Sequence, residues 1–184
     1  LILSLLPVYF IIAGLFMQPV DEIFHGIVEI IREPDFLITD YFVIGGVGAA
    51  FINAGVLTLI CIGIMYALDM NFDGHTVTST CLMFGFSLFG KNIVNIWPII
   101  AGTFLYAKAR REPFGKYVSV SLLATALAPV VSYVALDNGF GNLWWGIAVG
   151  LLIGFVLPPL SAYTYKIQNG MNLYNMGFAC GLLA

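Results

Sequence analysis

The stretch YFVIGGVGAAFINAGVLTLICIGIMYAL, residues 41–68, carries no charged side chain from end to end. A hydrocarbon layer about 30 Å thick takes roughly 20 predominantly apolar residues of helix to cross, so this run is long enough to span a bilayer. Within it, Gly45, Gly46, Gly48 and Gly55 leave room for a second helix to approach closely. Asn53 is the polar exception, a group that either bonds between helices or lines a pathway.

Upstream, residues 1–17 form a nearly complete apolar span without the basic start and small-residue cleavage site of a signal peptide. Between the two runs lie Asp21, Glu22, Glu29, Arg32, Glu33, Asp35 and Asp40, interleaved with Ile23, Phe24, Ile27, Ile30 and Ile31 at helical spacing. That pattern predicts an amphipathic helix over about 20–33. Its acidity disfavours anionic headgroups, so packing against neighbouring spans is its expected use.

Downstream, Asn71, Asp73, Gly74, His75, Thr76, Thr78, Ser79 and Thr80 lead into an apolar stretch too short to cross comfortably, followed by a second short one from Ile93 to Ala107. The pair, about 73–107, reads as broken or re-entrant helices joined around Lys91; irregular backbone at membrane depth survives where it lines a cavity or is buried in protein. Lys108, Arg110, Arg111 and Lys116 then form the basic cluster, opposed by Glu112 alone, which places loop 108–116 on the cytoplasmic side. Further spans are expected at 118–136, kinkable at Pro129, and at 143–163, where Trp144 and Trp145 suit an interfacial belt. A second polar, Gly-rich segment, 170–184, carries Asn172, Tyr174 and Asn175. Gly74 precedes Gly85 by the interval at which Gly170 precedes Gly181, so the two short segments form a possible internal repeat of the kind that marks transporter binding sites.

The whole composition agrees with this pattern. The chain is 60% hydrophobic and 9% charged, against about 25% charged in soluble domains. A net charge of −3 with seven basic residues gives no phosphate-binding surface, so nucleic acid is not an expected partner. Cys61, Cys81 and Cys180 lie in apolar runs without paired or metal-type spacing, which predicts neither disulfide nor zinc site. The Walker loop, the nucleophile elbow and the His-Glu-x-x-His motif are absent. No catalytic residue and no cofactor is therefore singled out. The chain opens without Met and stops inside an apolar segment, so the reading expects a piece of a longer polypeptide.

The candidate pathway residues are Asp73, His75, Thr76, Lys91, Asn92, Asn95, Asn172 and Asn175. Asp73 and His75 at the mouth of a short helix suit a proton relay or a polar substrate, and equally suit a solvated turn and helix start. Lys91 either snorkels to an interface or sits at membrane depth in a cavity, with the interface favoured. Asn92, Asn95, Asn172 and Asn175 either contact a permeant or bond between helices.

At Phe72-Asp-Gly-His-Thr-Val-Thr-Ser-Thr, Gly85-Phe-Ser-Leu-Phe-Gly-Lys-Asn92 and Asn95-Ile-Trp-Pro-Ile99 the chain resembles the uncharacterised prokaryotic membrane family catalogued as domain of unknown function 1576. Gly170-Met-Asn-Leu-Tyr-Asn-Met-Gly-Phe-Ala179 resembles a second recurring stretch of that family. The resemblance implies a longer polytopic protein in a membrane, with no substrate or catalytic residue to carry over. The expectation is thus an all-α, polytopic transmembrane helix bundle forming one domain over 1–184, multi-pass in the cell membrane. Its partners are then the lipid bilayer, a small solute or ion, and a second copy of itself in a homo-oligomer. The leading function is a transporter or channel-like permease; the alternatives are a membrane-embedded enzyme acting on a lipid or lipid-linked substrate, with Asp73 and His75 as its acid/base pair, or a structural membrane subunit.

Overall fold

A computed structural model describes residues 2–35, 39–71, 73–137, 141–167 and 176–184. Regular structure among them is helical throughout: α1 (Ile2–Met17), α2 (Val20–Arg32), α3 (Tyr41–Ala67), α4 (Gly74–Phe86), α5 (Trp97–Arg110), α6 (Val118–Ala124), α7 (Ala128–Leu136), α8 (Leu143–Ile167) and α9 (Met176–Leu183), with 3-10 turns at Phe114–Tyr117 and Thr125–Leu127. Three helical stretches are long and apolar enough to cross a membrane, Tyr41–Ala67, Phe114–Leu136 and Leu143–Ile167. A fourth exists only if α1 and α2 are taken together across their 117° bend. By itself α1 has 16 residues, and a length of about 1.5 Å per residue leaves it short of the hydrocarbon thickness.

The chain divides into two compact units, Leu1–Val94 and Asn95–Ala184. In the first, α3 packs against α1, α2 and α4. Glycine makes the approach possible: a Cβ on Gly14 would come within 2.8 Å of the Gly48 carbonyl, and one on Gly26 would run into the carbonyl of Gly45. The amphipathic α2 turns Ile23, Gly26 and Ile30 inward, and Ile30 joins Tyr41, Ala49 and Ala50 in a buried cluster. Asp21 and Glu22 in its first turn and Arg32 in its last suit the helix dipole.

In the second unit α5 and α8 cross backbone to backbone. A Cβ on Gly154 would strike the Ile99 carbonyl, one on Gly102 the Leu151 carbonyl, and the Thr103 hydroxyl donates to the Gly154 carbonyl at 2.9 Å. The stretch Phe114–Leu136 changes from α6 to a 3-10 turn at Thr125–Leu127 and resumes at α7 with a proline in its first turn. Pro129 has no N–H to give, which is why the interruption falls just ahead of it. Outward faces of the helices are apolar, among them Tyr9 and Phe16 on α1 and Trp144, Trp145, Leu152 and Phe155 on α8, as lipid-facing surfaces are.

Candidate functional site

The longest helix is broken near its start. Gly46 in α3 has φ 84° and ψ 168°, a conformation outside the helix that a side chain resists. A break frees backbone groups, and in lipid each must find a partner within the protein. Gln18, at the bend between α1 and α2, supplies them. Its Nε2 donates to the Gly45 carbonyl at 3.2 Å, while its Oε1 accepts from the N–H groups of Gly48 at 2.9 Å and Ala49 at 3.2 Å. One side-chain amide thus reads both polarities of the exposed backbone.

A second irregular segment lies in the same unit. After α4 the chain turns through residues 87–94, with Gly90 at φ 98°. Asn53, seven residues past the break on α3, donates to the carbonyls of Ser87 at 2.7 Å and Lys91 at 2.8 Å. Ser87, Lys91 and Asn92 are all buried. The Lys91 ammonium lies 3.9 Å from the Met83 sulfur and 5.1 Å from the centre of the Phe86 ring. The side chain therefore does not snorkel: at 1% exposure it is inside the protein, and the interface reading favoured from the sequence is overturned. The reason is tertiary, since Asn53 draws the backbone of residue 91 inward.

Asn92 lies beside it. Its Nδ2 points to the Ile30 carbonyl at 3.5 Å and its Oδ1 accepts from Val94 N–H at 3.0 Å. The Tyr41 hydroxyl donates to the Asp35 carboxylate at 3.0 Å and also meets the Asn92 side chain and the Gly90 backbone. Asp35 and Tyr41 are both fully buried. Residues from the α2–α3 connection, α3 and the turn after α4 therefore form one buried polar network: Asp35, Tyr41, Asn53, Lys91 and Asn92.

The remaining sequence-derived candidates fall elsewhere. Asp73 accepts from the N–H groups of His75 and Thr76, both at 3.0 Å, and Thr76 returns a bond from the Asp73 N–H at 2.9 Å. This is a capping box, which satisfies the first turn of α4. The backbone donors, Thr76's foremost, hold the Asp73 carboxyl below its ordinary range, so it is a committed acceptor and a poor proton donor near neutrality. Asp73 and His75 are exposed, and the Lys91 ammonium lies against Met83, which at about 1.5 Å per residue is roughly 12–15 Å further along α4. Asn95 opens the second unit, where its Nδ2 donates to the Ser132 hydroxyl at 2.9 Å. Asn172 and Asn175 lie outside the described residues, as does the part of the possible repeat that carries Gly170.

Sequence reasoning missed Gln18, Asp35 and Tyr41. An amide at the end of an apolar run, a Gly-Gly pair inside the next, and a carboxylate set between apolar residues ahead of a Tyr-initiated span were the available signals. Among the described residues no cluster of three His, Cys, Asp or Glu side chains could hold a metal ion.

No curated protein and no solved structure matches the chain. Residues 19–184 match the family described as protein of unknown function (DUF1576). Nearly the whole of this helical, membrane-compatible chain, with the broken α3 and the buried network around Lys91, thus belongs to that family.

Proposed function

We propose that the protein is a permease for a small solute or ion, with its pathway built on the first unit. One observation carries this: two non-helical backbone segments, at Gly46 and at residues 87–94, lie beside buried polar side chains, Lys91 among them, and each is held by a side-chain amide from another part of the chain. Broken helices whose exposed backbone groups and polar neighbours lie inside the protein are what ion and solute sites in transporters are made from. An ionisable side chain inside a membrane helix bundle is costly to retain and marks a pathway or a relay. A purely structural subunit gains little from burying Lys91, because a well-packed apolar side chain of the same size serves packing as well or better.

The test is flux. The full-length protein is reconstituted in liposomes and pulsed with Na⁺, K⁺, H⁺, chloride, phosphate and a panel of amino acids and sugars, with currents and trapped pH dye as readouts. The expected result is transport of at least one of these, reduced tenfold or more by Lys91→Met and by Asn53→Ala in protein that remains monodisperse. Folded protein that moves none of them, or flux indifferent to both substitutions, overturns the reading.

A further inference from the structure

Asp35 is 0% exposed and lies between α2 and α3, its carboxylate accepting from the Tyr41 hydroxyl at 3.0 Å. Tyr41 is the first residue of the short helical segment that ends at the Gly46 break. The same phenol meets Gly90 and Asn92, the residues that flank Lys91. The Asp35–Tyr41 pair therefore joins the α2–α3 connection, the first turn of α3 and the turn after α4. We propose that Asp35 is a proton-binding site whose loading changes how the residue 41–45 segment is held.

Burying an ionised carboxylate is costly, and burying a neutral carboxylic acid much less so. What favours the ionised form is the hydrogen bond from Tyr41. When a hydronium ion from the aqueous phase protonates a carboxylate oxygen, its own O–H bond breaks as the new one forms, and water is left. The carboxyl then becomes a donor itself, and the bond to the Tyr41 oxygen can reverse. The titratable and charged groups around it are Tyr41 from α3, Lys91 from the turn after α4, and Arg32 and Glu33 from its own segment, of which Arg32 is exposed. Cys61 of α3 faces the Lys91 charge. With Asp35 ionised the carboxylate only accepts from Tyr41; with Asp35 protonated it can donate, and the hold on the first residue of α3 changes. Gln18 holds both sides of the break, donating to Gly45 and accepting from Gly48 and Ala49, so the Tyr41 end of the segment is where a change at Asp35 acts.

The role of this site in coupling rests on the transport reading, but its existence does not, and infrared spectroscopy separates the two. Full-length protein in lipid is titrated from alkaline to acid pH while the C=O band of protonated carboxylic acids is followed. The expected result is a band that grows as pH falls and is missing in Asp35→Asn. In Tyr41→Phe, which removes a donor to the ionised form, the same band should titrate at higher pH by roughly one unit or more. If Asp35→Asn does not fold, the Tyr41→Phe shift together with a displaced band in Asp35→Glu decides. A band unchanged in Asp35→Asn, or unmoved in Tyr41→Phe, overturns the proposal. The expected band behaviour in protein that transports nothing supports the proton site and sinks the transport reading alone; flux without such a band does the reverse.

Discussion

The carboxamide of Asn53, in the interior of α3, donates a 2.8 Å hydrogen bond to the backbone carbonyl of Lys91. The bond fixes a non-helical turn against the longest helix and keeps the adjoining ammonium inside the protein. Asn53 also serves the Ser87 carbonyl, so its replacement strands two buried acceptors at once.

Asn53→Ala should lower stability by about 1–3 kcal/mol, the range for leaving a buried polar group unsatisfied, moderated by partners found in the unfolded-in-membrane state. Thermal unfolding in detergent measures it. A loss no larger than that of a lipid-facing substitution on α3 would count against the bond as a structural clamp.

Gly46→Ala is expected to be worse than its chemistry suggests. The φ of 84° is strained for any residue with a Cβ, at about 1–3 kcal/mol, and the new methyl would lie 2.7 Å from the Gln18 amide nitrogen. Gly63→Ala in the same helix meets open space and should be neutral or stabilising by up to about 1 kcal/mol. Equal effects of the two substitutions would show that Gly46 does not hold the break.

The α5–α8 crossing of the second unit makes an independent claim. Gly154→Ala drives a methyl into the Ile99 carbonyl and should cost about 1–3 kcal/mol or prevent the two helices from packing. Thr103→Val keeps the volume and loses the hydroxyl's bonds to the carbonyls of Gly154 at 2.9 Å and Ile99 at 3.3 Å, at about 1 kcal/mol. Resistance of this unit to proteolysis reports both, and the order of the two effects is the critical outcome.

Acid should weaken the caps and loops outside the spans. Thr76 and His75 N–H groups hold Asp73 below its ordinary range, and the Lys116 and Tyr117 side chains do the same for Glu112. Both groups have folded pKa values below the unfolded ones, so their contribution is complete above the unfolded carboxylate value of about 4 and is lost as pH falls through the folded value. Asp73→Asn can keep the cap without titrating. It should leave stability at neutral pH near that of the unmodified protein and flatten the acid limb of a thermal-unfolding profile. An unchanged acid limb in Asp73→Asn and Glu112→Gln together would assign acid sensitivity elsewhere.

The same Asp73 shows what local pattern can and cannot decide. Asp73-Gly-His-Thr76 is both a plausible relay and a complete capping box, and the choice was made by geometry within a few residues. Lys91 is the opposite case. Its surroundings depend on Asn53, 38 residues earlier, and no periodicity in the chain records that pairing.

Sequence alone determined that this protein is a set of apolar helices, that the run 41–68 offers glycines for close packing, and which segments are too polar and too short to lie in lipid unprotected. Those properties follow from transfer free energies and helix length, which each stretch carries by itself. Only tertiary structure decided that α3 breaks at Gly46, that Gln18 and Asn53 supply the missing backbone partners, and that Asp35 and Lys91 are buried in one network. Each of those outcomes is a hydrogen bond between distant parts of the chain, formed because lipid leaves a freed N–H or C=O no partner but another residue.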